Sequence, residues 1–371
     1  MAADVLVVIG TGGMGLAVLR RCGPGRRILL ADFNEALLQD AVDAALAEGY
    51  DVESCGVDVS SRNSVAALAA TARELGRVTA VVHTAGLSPA QAPAEAIWKV
   101  DLYGVALVLE EFEKVIANGG AGVVISSMSA YMAGGHIPED VLAELAAKPA
   151  DDLLGLPFVA GVDNPGFAYS AAKRANQVRV QAASVRWGAR GARVNSISPG
   201  VISTPMGQQE LAGESGAQMR AMIEGSGTGR VGTPGDIANA AAFLLSSDAS
   251  FVTGVDLLVD GELMHSDTLS GGSYTEVNMS TGASRQVEGA SHTSIFTGLP
   301  AGSKVVEIWL PHNESVELVE LHSDAPLEPH RYDRPVWLHH GSSVSHGSNA
   351  AAPSGIWPAV AARIGGVELR N

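Results

Sequence analysis

Six nearly unbroken aliphatic runs recur along the first 264 residues: Val5–Ile9, Ile28–Ala31, Ala80–His83, Gly122–Ser126, Arg193–Ser198 and Asp256–Val259. A weaker seventh lies around Val52–Val57. An unbroken apolar run, unlike an alternating one, belongs to a strand buried on both faces of a parallel sheet. Between the runs lie alanine-, leucine- and valine-rich segments with helical spacing: Met14–Cys22, Glu35–Glu48, Arg62–Leu75, Ala94–Asn118, Ala168–Trp187 and Gly235–Leu245. Strand and helix alternating this often point to an α/β, doubly wound parallel sheet of about seven strands.

The chain changes character near residue 265. Eight of the ten histidines lie at or beyond it, and Gly, Ser and Thr crowd Ser266–Ser294. Short alternating stretches, Lys304–Leu310 and Ser315–Leu321, read as exposed antiparallel strands. The expected organisation is one domain over 1–264 and a short β-rich extension over 265–371, with Ser266–Ser273 as linker.

Composition removes several function classes. With 46% hydrophobic and 17% charged residues the bulk of the chain is not intrinsically disordered. A formal net charge of −16 disfavours nucleic acid and anionic membranes as partners. Two cysteines, Cys22 and Cys55, make no disulfide framework and no structural zinc site. The start, Met-Ala-Ala-Asp, lacks the basic and long apolar regions of a signal peptide, and no apolar run reaches bilayer-spanning length. A cytoplasmic protein is expected.

The first run is followed directly by Gly10-Thr11-Gly12-Gly13-Met14-Gly15 and then a helical segment. Glycines there let the backbone turn tightly and approach a pyrophosphate, which then faces the N–H groups and dipole of the helix. A tight βα turn without a ligand is the plainer alternative. Asp32, followed by Phe33, ends the second run. A carboxylate there accepts the hydroxyls of an adenosine ribose and repels a 2′-phosphate, so NAD is favoured over NADP. An ordinary acid at a helix N-terminus, with Asn34 as cap, is the alternative.

Tyr169-Ser-Ala-Ala-Lys173 lies in a helical segment, and the i, i+4 spacing puts phenol and ammonium on one face. A nearby cation favours phenolate, so Lys173 is expected to lower the tyrosine pKa. That makes a general acid/base for an alcohol proton while hydride leaves the carbon. A surface Tyr–Lys pair is the alternative. Ser127 follows an apolar run and stands where parallel sheets bind ligands. Its hydroxyl can bond a substrate oxygen as charge develops; Ser126 or Ser129 can take that role instead.

These motifs resemble the short-chain dehydrogenase/reductase family over about residues 4–264, which implies a Rossmann-type fold. The resemblance extends to Asp58-Val59, where the family contacts adenine, and to Thr84-Ala85-Gly86, where it usually reads Asn-Ala-Gly. Pro199-Gly200-Val201-Ile202-Ser-Thr204 is similar to the segment that holds the nicotinamide carboxamide. Within the family the chain looks most like the bacterial 3α-hydroxysteroid dehydrogenase/carbonyl reductase group, because the stretch from Ala85-Gly86 to Asp101–Gly104 is short and the segment between Ser127 and Tyr169 is long. The resemblance implies hydride exchange between nicotinamide and a secondary alcohol or ketone. Tyr169 then moves the proton, Lys173 holds the nicotinamide ribose and Ser127 orients the carbonyl. It also implies a homodimer or homotetramer. Substrate specificity is expected in the insertion and in Pro205–Arg230.

Three departures stand out. The glycine loop is one residue shorter than the family pattern. Asp101 replaces a catalytic asparagine whose backbone carbonyl holds a water of the proton relay; an aspartate keeps that carbonyl and adds a charge near Lys173. The insertion Met128–Ala168 is too long for a plain loop, and Pro138–Ala150 within it reads as an amphipathic helix covering the pocket or altering a subunit face.

In the tail, Arg334–Gly347 resembles the first block of the SGNH/GDSL hydrolases, with Ser343 at the nucleophile and Ser342 in place of the usual aspartate. A strand, a turn and a helix from Ile356 are expected. The chain ends at Asn371 before the family's later blocks, so a complete hydrolase site is not expected. His339, His340 and His346 lack metal-ligand spacing, and no metal is expected. The alternative function is a hydrolase fragment or interaction module on a redox-inactive dinucleotide-binding scaffold.

Overall fold

The computed structural model describes residues 2–133, 136–213 and 216–264, and the backbone of four short strands beyond them. The first half runs β1 Asp4–Ile9, α1 Gly13–Cys22, β2 Arg27–Asp32, α2 Glu35–Ala47, β3 Asp51–Gly56, α3 Arg62–Leu75 and β4 Arg77–His83. Helix α4, Ala94–Ile97, passes through a π-helical stretch, Trp98–Gly104, into α5, Val105–Glu113, before β5, Ile116–Ile125. The short helices α6 Ser129–Met132, α7 Glu139–Ala147, α8 Ala150–Leu153 and α9 Pro157–Ala160 precede the long α10, Pro165–Ala189, and β6, Arg193–Pro199. Helices α11 Pro205–Ala212, α12 Gly216–Gly225 and α13 Pro234–Leu245 lead to β7, Asp256–Val259.

The sheet order is β3-β2-β1-β4-β5-β6-β7, with every neighbouring pair parallel. Alternate residues of β1 feed opposite cores. Val5, Val7 and Ile9 pack with Leu68 of α3, Phe112 of α5 and Val180 of α10. Leu6 and Val8 pack with Val18 of α1, Leu38 of α2 and Ile237 of α13. Burial on both faces is why the strands read as unbroken apolar runs. Connections leave β1 and β4 for opposite halves of the sheet, so a crevice opens beyond their carboxyl ends.

Local chemistry sets the boundaries. The side chain of Asn34 accepts from Ala36 and Leu37 at the start of α2, and that of Ser61 from Ser64 at α3. Thr233 and Asp236 form a reciprocal capping box on α13. Helix α10 starts at Pro165, ahead of the expected Ala168, because Asn164 caps it and proline suits the first helical turn.

The expected single helix Ala94–Asn118 is broken. It widens at Trp98–Gly104 and stops at Glu113. Strand β5 then begins at Ile116, ahead of the expected Gly122. Its pairing with β4 jumps from Val78↔Ile116 to Ala80↔Ala121, and the slack is taken up around Gly119 at φ 81°. Glycine tolerates that left-handed backbone, and the bend lets two strand pieces share one strand.

The helix read over Pro138–Ala150 is α7, shortened by the prolines at either end. It packs along α10: Leu145 is fully buried, and Arg179 Nη1 donates to the carbonyls of Leu145 at 2.7 Å and Lys148 at 3.0 Å. Arg62 of α3 binds Glu110, Glu111 and Asp151, tying the insertion to α5. The Phe158 ring sits edge-on to Trp98 and Phe167. The insertion therefore covers α10 and the π-helical stretch.

Contacts divide the chain into two units, the first holding Met1–Tyr274 with Val287–His292. Beyond residue 264, β8 Tyr274–Val277 pairs with β9 Ser284–Val287, and β10 Val336–Leu338 runs parallel to β11 Glu368–Arg370. The expected strands Lys304–Leu310 and Ser315–Leu321 lie outside the described residues, as do Ser342, Ser343, His339, His340, His346 and the helix from Ile356. Among the described residues no helix is long and apolar enough to cross a membrane.

Candidate active site

The glycine loop leaves β1 at Gly10, whose φ of 100° is open to glycine. A Cβ on Gly15 would lie 2.0 Å from the Gly10 carbonyl oxygen, so only glycine lets α1 pack against the loop. Gly12 caps α1 without a side-chain hydrogen bond, and a Cβ there would meet nothing within 4 Å. The uncapped N–H groups of α1 thus face open space, a cradle for an anion. Gly13 and Met14 open the helix, and Gly13 lies against the Thr204 methyl group, 3.3 Å from where its Cβ would stand.

Asp32 closes β2 beside this loop. Its Oδ2 accepts from the Thr11 amide at 2.7 Å and from Thr11 Oγ1 at 2.8 Å, and its Oδ1 accepts from the Asn34 amide at 2.9 Å. The next residue, Phe33, is 77% exposed, leaving an apolar surface at the crevice rim. Asp58 Oδ1 accepts from the amide and hydroxyl of Ser60, which fixes the turn after β3. Val59 is buried against Gly104. Thr84 replaces the usual asparagine, and its Oγ1 donates to the carbonyls of Ile9 and Gly10, at 3.2 and 3.0 Å. The amides of Thr84 and Ala85 both bond the Ile9 carbonyl, so β1 and β4 end in one knot.

Pro199 ends β6, and its carbonyl accepts from the Met128 amide at 2.8 Å. Gly200 bonds the Val259 carbonyl, and Val201 and Ile202 are buried. Thr204 caps α11, its Oγ1 accepting from the Gly207 amide at 3.1 Å. The segment expected to hold the nicotinamide end thus stands beside the glycine loop through Thr204 and Gly13.

Across the crevice, Tyr169 and Lys173 share one face of α10, with the Lys173 ammonium 5.4 Å from the Tyr169 ring centre. The Ser127 hydroxyl favours the ionised Tyr169 phenol, and it accepts from the amide and hydroxyl of Ser129. Ser126 is otherwise engaged, donating to the Lys173 carbonyl at 2.9 Å. Of the three serines, Ser127 is the one whose hydroxyl acts on the phenol.

Asp101, in the π-helical stretch, is fully buried. Its Oδ1 lies 2.9 Å from Lys173 Nζ, and its Oδ2 accepts from the Leu87 amide at 3.0 Å. Lys173 also donates to the Ile125 carbonyl at 3.2 Å. Gly86 makes room: a Cβ there would lie 2.6 Å from Asp101 Oδ1 and 3.2 Å from Lys173 Nζ. Burial pulls the Lys173 ammonium down, but Asp101 and Tyr169 outweigh it and leave it above its ordinary range. Burial pushes the Asp101 carboxyl up, against Lys173 and the Leu87 amide.

The expected fall in the Tyr169 pKa is not what the fold produces. Burial pushes the phenol up, and the carboxylates of Asp101 and Glu210 add to the rise. Lys173 and Ser127 pull the other way without reversing it. The spacing alone shows the ammonium and not the carboxylate that faces it.

Two residues escaped the sequence reading. Glu210, from α11, is half-buried and acts on Tyr169; nothing in its sequence context marks it. His83 ends β4 at 2% exposure, and neither ring nitrogen closes a hydrogen bond. Burial, then the charge of Lys173, holds it down at about 3, so it is neutral. A histidine closing an apolar run was its available signal.

The family model described as enoyl-(acyl carrier protein) reductase matches residues 10–143 and 157–262. A curated relative, short-chain dehydrogenase/reductase bsc3 of Alternaria brassicicola, is 44% identical over 262 residues, spanning 70% of this chain and 96% of the relative. Cyclopentanol dehydrogenase of Comamonas sp. (strain NCIMB 9872) is 31% identical, over 69% of this chain and 95% of its own. Among solved structures, a short-chain type dehydrogenase/reductase from Mycobacterium ulcerans superposes with a TM-score of 0.57 at 25% identity, covering 71% of this chain and 90% of that one.

Proposed function

The chain belongs to the short-chain dehydrogenase/reductase family, and on that premise we propose that it is an NAD(H)-dependent oxidoreductase interconverting a secondary alcohol and a ketone. The observation that carries this reading is the meeting of Ser127, Tyr169 and Lys173 beside the Asp101 carboxylate, across the crevice from an uncapped helix N-terminus.

The residues fit a nicotinamide dinucleotide. The open space at Gly12 and the free N–H groups of α1 suit a pyrophosphate. Asp32 suits an adenosine ribose and opposes a 2′-phosphate, which favours NAD over NADP. Asp58 and Val59 would flank the adenine, Thr84, Ala85 and Gly86 the central part, and Pro199–Thr204 the nicotinamide. When bound, the cofactor supplies or accepts the hydride. The chain's own part is acid/base work and placement. Tyr169 Oη gives or takes the proton of the substrate oxygen. Ser127 donates to that same oxygen as charge develops on it. Lys173, anchored by Ile125 and Asp101, would hold the nicotinamide ribose.

The name of the Comamonas relative makes small alicyclic alcohols and ketones the first substrates to screen. The 3α-hydroxysteroid dehydrogenase/carbonyl reductase likeness adds hydroxysteroids. A homodimer or homotetramer in the cytoplasm, a boundary at residue 265 and a fragment related to the SGNH hydrolases in the tail complete the proposal.

Nicotinamide fluorescence during titration with NADH, and separately NADPH, tests it. The reading expects tighter NADH binding, its loss in Gly12→Val, and lost turnover with retained binding in Tyr169→Phe. Failure to bind either dinucleotide, or full turnover in Tyr169→Phe, would overturn it.

A further inference from the structure

Asp101 presents its side chain to the site. Both members of the Asp101–Lys173 pair are buried, and the contact is direct at 2.9 Å. The second carboxylate oxygen is held by the Leu87 amide at 3.0 Å, so the carboxylate cannot swing away without losing a partly buried hydrogen bond. Gly86 is the residue that lets the two groups meet. The ammonium lies 5.4 Å from the Tyr169 ring centre.

Resting on the oxidoreductase reading above, we propose that the Asp101 side chain is a positioning residue that cancels the charge of Lys173 and keeps the proton on Tyr169, biasing the site toward reducing a ketone. An unpaired ammonium stabilises a neighbouring phenolate. The same ammonium in contact with a carboxylate presents a dipole, whose field at a third atom is weaker than that of a lone charge. Every charged or titratable group facing the pair enters this balance. Lys173 shares α10 with Tyr169, Asp101 comes from the π-helical stretch and Glu210 from α11, and neutral His83 faces Lys173 from β4. The hydroxyl of Ser127 favours the phenolate; the two carboxylates oppose it. In the favoured direction Tyr169 Oη gives its proton to the ketone oxygen while the carbonyl carbon takes a hydride from a reduced nicotinamide dinucleotide. The phenolic O–H bond breaks, the alcohol O–H bond forms, and solvent reprotonates the phenolate.

The test follows phenolate absorbance during pH titration of the cofactor-free, full-length protein. Comparison with Tyr169→Phe isolates the Tyr169 signal from the other tyrosines. In the wild type Tyr169 ionises above the ordinary phenol value of about 10. Asp101→Asn lowers that midpoint by about one unit or more, and Glu210→Gln lowers it less. The pH at which alcohol oxidation reaches half its maximum falls in parallel in Asp101→Asn. An unchanged midpoint in Asp101→Asn, or a larger shift in Glu210→Gln, overturns the proposal. If Asp101→Asn does not fold, Asp101→Ser takes its place: a lowered Tyr169 midpoint supports the proposal and an unchanged one overturns it. Because the titration needs no cofactor, its failure is distinct from a failure to bind nicotinamide, which would overturn the oxidoreductase reading instead.

Discussion

Asp32 Oδ2 accepts two hydrogen bonds from a single residue, Thr11: one from its amide at 2.7 Å and one from its hydroxyl at 2.8 Å. The acid that ends β2 therefore braces the glycine loop that leaves β1. A carboxylate has about four acceptor positions, and the Asn34 amide takes a third at 2.9 Å. The remaining capacity is what a ribose hydroxyl would use.

Asp32→Ala removes brace and acceptor together. NADH affinity should fall about tenfold or more, since hydrogen bonds to a charged group contribute roughly 1.5–3 kcal/mol. NADPH affinity should fall less, because repulsion of a 2′-phosphate disappears at the same time. Parallel fluorescence titrations check this; an unchanged ratio of the two affinities would remove Asp32 from coenzyme choice.

Gly86→Ala drives a methyl group into the Asp101–Lys173 contact, 2.6 Å from the carboxylate oxygen. The chain should still fold, because the atoms the methyl group meets belong to the side chains of Asp101 and Lys173, but turnover should fall on the order of 100-fold through misplacement of Lys173. Gly15→Ala meets backbone instead, 2.0 Å from the Gly10 carbonyl oxygen. It should lose dinucleotide binding and melt at lower temperature. Turnover and thermal melts of the two variants separate these outcomes.

His83 makes stability depend on acid. Its folded value of about 3 lies below the ordinary 6.5, so the unfolded chain binds the extra proton between those limits. Stability is therefore full above about 6.5 and declines as pH falls, by up to about 1.4 kcal/mol per unit from this group. Urea unfolding at pH 7 and pH 5 should show a smaller acid loss in His83→Asn than in the wild type. Equal losses would mean that His83 is protonated in the folded chain.

Arg179→Met strips the donors from the Leu145 and Lys148 carbonyls while keeping an apolar stem. The cost should be about 1–3 kcal/mol, with faster amide exchange over 139–148. Calorimetry and exchange mass spectrometry read both; unchanged exchange there would show that α7 is held by Leu145 burial alone.

Much of this architecture is written in local patterns. Unbroken runs such as Val5–Ile9 become central strands because both faces of the sheet are covered, and burial leaves no room for polar alternation. Arg62–Leu75 begins and ends as read, since Ser61 caps it and Gly76 stops it. The early start of α10 at Pro165 was legible too, in Asn164 and the proline, but the larger departures were not. Nothing local announces that Trp98–Gly104 widens, or that Ile116 joins a strand, because β4 and its register with β5 decide it. The site divides the same way. The spacing of Tyr169 and Lys173 predicts a shared helix face, and the fold has one. The sign of the phenol's shift needs the carboxylates of Asp101 and Glu210, which arrive from elements far away in sequence.

A residue squeezed into an ordinary helix would rotate everything that follows it, because each residue turns the chain by about 100°. A wide turn takes up such a residue locally, and behind Trp98–Gly104 the helix α5 still sends Leu107 and Phe112 into the core. The stretch therefore works as a splice. It lets the chain seat Asp101 in a locally altered backbone while the helix behind it keeps its phase. Substitution and length change at this point alter what Asp101 faces before they alter what α5 buries.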